Sequence, residues 1–342
     1  MDQIAVVILN WNGLSFLKKF LPTVVSCSPE AEVWVIDNGS TDDSLAWVRA
    51  SCPTVNVQEN GHNYGFAKGY NAGLKYIPAD YYVLLNSDVE VTPNWISPVL
   101  ATMKEMDFVA CQPKIRDYNR KDYFEYAGAA GGYLDKNAFA FCAGRMFYEY
   151  EEDLGQYNDS REVFWASGAS LFIDAEKFNE VEGLDVDFFA HMEEIDLCWR
   201  LKNRGYRIGY CADSTVYHVG GGTLNQLNPF KTYLNFRNNL FLITKNHFSS
   251  GLLLHLYCRL ILDGVAALRF LSEGNFKYLW AVLKAHISFF ASFGKMYKKR
   301  KLIQQALHNP NLQGKYKRNV LFDFFLKKHK HFSELDSDHF NA

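Results

Sequence analysis

The sequence predicts an α/β protein: a mixed, mainly parallel sheet with helices on both faces, followed by a C-terminal helical extension. Four short apolar runs, Ile4–Leu9, Glu32–Ile36, Val55–Gln58 and Tyr81–Leu85, alternate with segments of helical spacing, which is how a parallel sheet with crossover helices is written. Three of these runs end abruptly in polar residues, at Asn10-Trp11-Asn12-Gly13, Asp37-Asn38-Gly39-Ser40 and Asn86-Ser87-Asp88. Beyond residue 246 the strand signals stop, so residues 1–246 are expected to form the α/β unit and 247–342 the extension.

The elements follow in order. Leu14, Leu17, Leu21 and Val24 share one helical face, and Pro22 should distort or interrupt that helix. Ser40 or Thr41 can cap a helix over Asp43–Ala50. The glycine-rich stretch NGHNYGFAKGY leads into a helix from about Ala67 to Tyr76, and a further helix, Trp95–Met106, follows Pro93. Tyr81–Leu85 has aromatic and β-branched content without alternation, as a strand buried on both faces does. After Phe108–Gln112 the period is lost from about Arg116 to Arg161, which reads as a loop-rich insertion that shapes a pocket. Val163–Ile173 returns to strand character, Phe188–Asn203 reads as a helix with an acidic start, and Tyr206–Tyr210 and Ser214–His218 as two last strands.

Composition narrows the partners. The 342 residues carry a formal net charge of only −2, so nothing in the overall charge points to nucleic acid. The average hides an asymmetry: Lys295–Lys330 contains eleven Lys or Arg and one acid, Asp323. Seven cysteines without a Cys-x-x-Cys pair argue against a zinc knuckle or a disulfide framework and suit a reducing compartment. The N-terminus lacks the basic flank of an export signal. No stretch reaches the roughly 18 uncharged residues of a membrane-spanning helix. Leu252–Leu271 and Phe276–Phe293 are nonetheless apolar enough to lie on a bilayer, with the basic tail against anionic headgroups. The alternative is a helical extension packed on the sheet or on a second copy, a homodimer. Arg259 and Asp263 stand four apart and can pair on one helix face.

The candidate chemistry lies at the strand ends. Asp37 can accept a hydrogen bond from a nucleobase or ribose, and Asn10 ends the neighbouring strand. Asn63, Gly65 and Lys68, with Asn71, place amides, a flexible backbone and a cation by a helix start, as a nucleotide or phosphate site requires. Asp88, beside Asn86 and Ser87, suits Mg2+ or Mn2+, which take one or two carboxylates and complete their shell with phosphate and water. His218, followed by Gly220, Gly221 and Gly222, is a second metal candidate or a core histidine. Glu193 and Glu194, ahead of Asp196, stand at a helix start whose amides favour ionised carboxylates, and either could serve as general base. Arg237 is a candidate for a phosphate contact or for pairing with an acid. Trp165 and Gly168 would line a sugar pocket or fill the core.

In order, the motifs VVILNWNG, VIDNGSTDDS, NYGFAKGYNAG, YVLLNSDVEV, ASGASLFI, EEIDLCWRLKNRGYRIGY and YHVGGGT resemble the family 2 glycosyltransferases of GT-A fold, over about Ile4 to Asn246. Within that family they are similar to bacterial rhamnosyltransferase-like members that build surface polysaccharides. The resemblance implies that Asp37 contacts the base, Asp88 coordinates the metal, and Glu193 and Glu194 fall on the family's Glu-Asp pair, whose second member is commonly the base. This chain departs from the pattern twice: Asn86 replaces the first acid of the metal motif, and Glu194 is one methylene longer than the usual Asp. The implied activity is inverting transfer of a sugar, rhamnose among the candidates, from a dTDP- or UDP-sugar donor to a saccharide or lipid-linked saccharide. The implied place is the cytoplasm, peripheral on the inner face of the cytoplasmic membrane. The alternatives are a sugar-phosphate nucleotidyltransferase, disfavoured because no cation stands in Asn10-Trp11-Asn12-Gly13, and a non-catalytic carbohydrate-binding protein.

Overall fold

The computed structural model describes residues 2–220, 228–248 and 251–341, so Gly221 and Gly222 lie outside the described residues. Strands β1 (Ile4–Asn10), β2 (Glu32–Asp37), β3 (Asn56–Glu59) and β4 (Tyr81–Leu85) are joined by α1 (Leu14–Cys27), α2 (Ser44–Ser51) and α3 (Phe66–Leu74). They pair in parallel, β4 and β2 flanking β1 and β3 outside β2. Because successive side chains point to opposite faces, Ala5 and Val7 of β1 enter one core while Val6 and Ile8 enter the other. One core takes Ala67, Tyr70 and Leu74 of α3, the other Leu17, Leu21 and Val24 of α1. A strand buried on both faces needs an unbroken apolar run, which is what these segments carry.

The sheet continues past β4 with β12 (Ser170–Asp174), β6 (Phe108–Asp117), β13 (Arg207–His218) and β11 (Arg161–Val163), and β5 (Val89–Val91) pairs with β13. β12 is antiparallel to both neighbours and β13 is parallel to β6, so the sheet is mixed and mainly parallel on the β1 side. α4 (Ser97–Glu105) packs beside β6 and β13, and α5 (Ala175–Glu180) follows β12.

Four expectations are corrected. The last two strands are one, β13, whose register against β6 shifts between Cys211 and Thr215. Val163–Ile173 splits into β11 and β12 with residues 164–169 between them. The helix expected from Phe188 begins only at Glu193, as α6 (Glu193–Asn203), because Phe189, His191 and Met192 adopt positive φ of 65°, 67° and 69°. The insertion is not structureless: β7 (Gly132–Asp135), β8 (Ala140–Cys142), β9 (Arg145–Met146) and β10 (Glu149–Tyr150) form a small sheet completed by β14 (Lys315–Tyr316) from the tail. α1 runs through Pro22 without interruption.

α7 (Pro229–Asn246) leads to a hairpin of α8 (Leu252–Ser272) and α9 (Phe276–Gln305), and α9 packs along α7. Arg259 and Asp263 pair at 2.8 Å as the sequence suggests, both buried. The tail is not free. Lys299 pairs with Asp187 at 2.7 Å and Lys295 with the same acid at 2.5 Å, while Arg300 donates to the carbonyl of His247 at 2.6 Å. After α10 (Val320–Phe325), the rings of Phe332 and Phe340 pack on Tyr133 of the insertion.

Candidate active site

The parallel register sets Asn10 directly opposite Asp37 at the C-terminal ends of β1 and β2. Both are buried, and the Asn10 amide donates to Ser44 Oγ at 2.9 Å, Ser40 Oγ at 3.1 Å and Asp37 Oδ1 at 3.4 Å. Asp37 Oδ2 accepts the amides of Gly39 and Ser40 at 3.2 and 3.1 Å, which fixes the carboxylate at the sheet edge. Asn38, which sequence reasoning passed over, organises the next loop. Its amide donates to Asn63 Oδ1 at 3.0 Å and its oxygen accepts from Asn60 and from the Tyr64 amide. Asn63 Oδ1 also accepts the Gly65 amide at 2.8 Å, so Asn63 shapes this loop. Gly65 is required there: its φ is +77° and a Cβ would meet the Phe189 ring at 2.6 Å. Lys68 is exposed, its ammonium 4.1 Å from the Tyr64 ring centroid.

At the end of β4, the amide of Asn86 donates to the Ala169 carbonyl and the carbonyl of Asp88 accepts from Val219, so the loop is pinned to β12 and β13. Ser87 is half-buried beside Gly13, where an added Cβ would lie 3.9 Å from Ser87 Oγ. His218 Nε2 stands 3.1 Å from Asp88 Oδ1, and Nδ1 stands 3.1 Å from Glu125 Oε2, a close ion pair off the hydrogen-bond axis. Burial alone would lower the imidazole pKa, but the carboxylates of Glu125 and Asp88 outweigh it and push it up to about 10. Glu125 lies in the aperiodic insertion, where nothing in the sequence singled it out. Among the described residues no three His, Cys, Asp or Glu converge as a ready ligand set, because His218 is interposed between the two acids. The donor chemistry fits a divalent cation all the same. Replacing the shared proton at Nε2 would leave Asp88 and His218 as oxygen and nitrogen ligands, with Glu125 orienting the ring from behind.

The two glutamates divide sharply. Glu193 is 5% exposed, on the side of the sheet where the Tyr70 hydroxyl donates to the carbonyls of Val7 and Leu85. Burial and the neighbouring Glu194 push Glu193 well above the ordinary carboxyl range. Glu194 is half-buried and stands over Gly168, where a Cβ would lie 3.6 Å from its own. Ser170, two residues on, pairs with Leu85 at the end of β4, so Glu194 borders the strand end that carries Asp88. Burial raises its pKa to about 7, opposed by the amides of Glu194, Ile195 and Met192 at the start of α6. One oxygen of each glutamate is buried without a hydrogen-bond partner.

Other candidates serve the frame. Trp165 is 3% exposed, and its indole N–H donates to the Tyr133 carbonyl at 3.0 Å with the ring against Gly132, so it fills the core and lines no open pocket. Arg237 meets no described acid; Nη2 donates to the carbonyls of Asp187 and Phe188 at 3.1 Å. Its neighbour Asn238 donates to the carbonyls of Phe188, Ala190 and His191 at 3.0, 2.9 and 2.7 Å, clamping the left-handed segment before Glu193. Asp196 is wholly buried, bonded to Arg200 at 2.8 Å, Lys245 at 2.7 Å and Asn246 at 2.8 Å, which ties α6 to α7.

Comparison with known proteins identifies the fold and the family. The Haloferax volcanii low-salt glycan biosynthesis hexosyltransferase Agl10 is 22% identical over 289 residues, spanning 82% of this chain and 88% of the relative. The Mycobacterium tuberculosis N-acetylglucosaminyl-diphospho-decaprenol L-rhamnosyltransferase is 26% identical over 64% of this chain and 76% of its own length. Among solved structures, the Pyrobaculum calidifontis mannosyltransferase PcManGT, in complex with GDP-Man and Mn2+, superposes with a TM-score of 0.51 at 11% identity, over 90% of this chain and 86% of that one. A Staphylococcus aureus TarS fragment gives 0.52 at 13% identity, over 88% and 91%. These likenesses show the GT-A fold. Residues 5–175, half of the sequence, match glycosyl transferase family 2, and the chain belongs to that family.

Proposed function

We propose that this glycosyltransferase moves a sugar, with inversion, from a dTDP- or UDP-sugar to a hydroxyl of a lipid-linked saccharide in surface polysaccharide synthesis, with rhamnose as first candidate. The observation that carries this reading is the placing of Glu194 beside the strand end that bears Asp88 and, through it, His218. Asp37 and Asn10 would meet the nucleotide. Asp88 and His218 would hold Mn2+ or Mg2+, which when bound offsets the charge developing on the leaving diphosphate. Glu194 would take the proton of the attacking hydroxyl, and with a single base and no second nucleophile the substitution inverts the anomeric carbon. Glu193, kept neutral by burial, would support α6 and not the proton transfer. The named activities of the hexosyl- and rhamnosyltransferase relatives favour this substrate class.

The helical extension supports action at a membrane surface. Leu254, Tyr257, Ile261, Val265 and Leu268 of α8 form one exposed stripe, and Phe276, Trp280, Leu283, Ile287 and Phe290 of α9 another. Two charges of α8 turn inward instead, Asp263 bonding Arg259 at 2.8 Å and approaching His286 at 3.3 Å, while Arg269 near its end is exposed. No described helix is long and apolar enough to cross a bilayer, and such a face can lie on one. The cytoplasmic face of the membrane is the proposed location.

The test is release of nucleotide from a panel of UDP-, dTDP- and GDP-sugars with Mn2+, Mg2+ or EDTA, after a thermal-shift screen of free nucleotides. Metal-dependent release from one donor is expected, and no release from any donor with any lipid-linked acceptor would overturn the reading. For the membrane face, the wild type should sediment with anionic vesicles, and the double variant Ile261→Asp, Ile287→Asp should not. Equal sedimentation, or a stable dimer that covers the stripes, would remove the membrane role.

A further inference from the structure

Two buried cations beside this site have no acidic partner among the described residues. Arg145, on β9, is 7% exposed and Lys231, in the first turn of α7, is 9% exposed; neither forms an ion pair among the described residues. Arg145 Nη1 donates to the Phe147 carbonyl at 3.1 Å, but its Nε is buried with nothing to bond. Both cations lie against one ring, the Arg145 guanidinium carbon 4.2 Å and the Lys231 ammonium 5.0 Å from the centroid of Tyr126. They border the reacting region, because Tyr126 directly follows Glu125, whose carboxylate stands 3.1 Å from His218 Nδ1.

Holding unpaired charge in a protein interior is costly, and an aromatic face offsets only part of that cost. Such a pair is suited to an arriving anion. The turn of α7 that carries Lys231 inward also presents Phe230 and Tyr233 outward, and with Trp280 and Ile287 of α9 these line a groove of about 640 Å³. The groove opens on the exposed apolar stripe of α9. Phe230 in turn packs edge-on against Phe189, in the segment that precedes Glu193. The anion is therefore one attached to a hydrocarbon chain, and a diphosphate diester, with two negative charges, matches two cations.

We propose that Arg145 and Lys231 bind the diphosphate of the lipid-linked acceptor and that its hydrocarbon chain leaves along the groove between α7 and α9. This rests on the lipid-linked acceptor of the proposed function, but its test needs no turnover. Binding of farnesyl diphosphate and of inorganic pyrophosphate to the full chain is measured by calorimetry in EDTA, alone and with saturating nucleotide diphosphate.

Farnesyl diphosphate should bind in both conditions. Lys231→Met and Arg145→Met should each weaken it by about tenfold or more, the worth of a charge-assisted contact. Lys231→Arg should restore it, while unchanged nucleotide affinity reports that each variant is folded. Trp280→Ala should weaken farnesyl diphosphate and leave pyrophosphate unaffected. Displacement by the nucleotide would assign the cations to the donor's own diphosphate and overturn the proposal. So would wild-type affinity in both Met variants, or no binding of either probe. Loss of sugar transfer with intact farnesyl diphosphate binding would instead count against the proposed function.

Discussion

Replacing Asn238 should cost more activity than a residue outside the cleft ordinarily would. Three non-glycine residues, Phe189, His191 and Met192, sit in the left-handed region immediately before Glu193. At about 1–2 kcal/mol each, the segment stores roughly 3–6 kcal/mol of backbone strain. One amide group offsets much of it, donating to three carbonyls between 2.7 and 3.0 Å. Its two hydrogens supply about 1 kcal/mol net apiece, so Asn238→Ala should lower unfolding stability by roughly 2–3 kcal/mol once the orphaned carbonyls are included. With the clamp gone, the segment can relax and the start of α6 shifts. A displacement near 1 Å costs on the order of a hundredfold in rate. Asn238→Asp is the sharper variant: it keeps the shape but turns an oxygen toward the carbonyls, so it should be at least as damaging as Ala. Urea denaturation gives the stability and donor turnover the rate. A folded Asn238→Asp enzyme with kcat near that of wild type would refute the clamp.

Other outcomes follow from the same geometry. Because burial raises Glu194 to about 7, its ionised fraction falls as pH falls, so kcat/KM should decline below about pH 7 and level off above it; a profile flat from pH 5 to 8 would contradict this. Asp196→Ala leaves Arg200 buried without its acid and Lys245 with Asp185 alone, and should cost about 3–5 kcal/mol in chemical denaturation. Trp165→Ala should lose about 3–5 kcal/mol of stability and keep wild-type nucleotide affinity, since its ring lies in the core. The opposite pattern would return Trp165 to the binding site.

Much of the frame was legible because a doubly buried strand and its crossover helix leave opposite periodicities in the chain. The strand-end acids were legible for a related reason: a carboxylate directly after an apolar run has nowhere to go but the sheet edge. Local pattern could not reach what long-range contact decides. Glu125 gains its role only because the insertion folds back on His218, 93 positions later in sequence. Phe188–Met192 carries good helix formers, yet tertiary bonds from Arg237 and Asn238 hold it out of the helix. Arg237 looked like a phosphate ligand because its charge is visible in sequence, whereas the carbonyls it serves are not. The basic tail likewise read as a headgroup ligand, although Lys295, Lys299 and Arg300 are used within the fold.

The central claim is that the partly buried Glu194, and not its more deeply buried neighbour Glu193, accepts the proton, at an edge shared with Asp88 and His218. Turnover of Glu194→Gln and Glu193→Gln, measured side by side on the active donor with nucleotide affinity as control, tests it most directly. Glu194→Gln should lose about 10²–10⁴-fold in kcat with donor affinity intact, while Glu193→Gln keeps most of its rate. A dead Glu193→Gln enzyme beside an active Glu194→Gln one would contradict it.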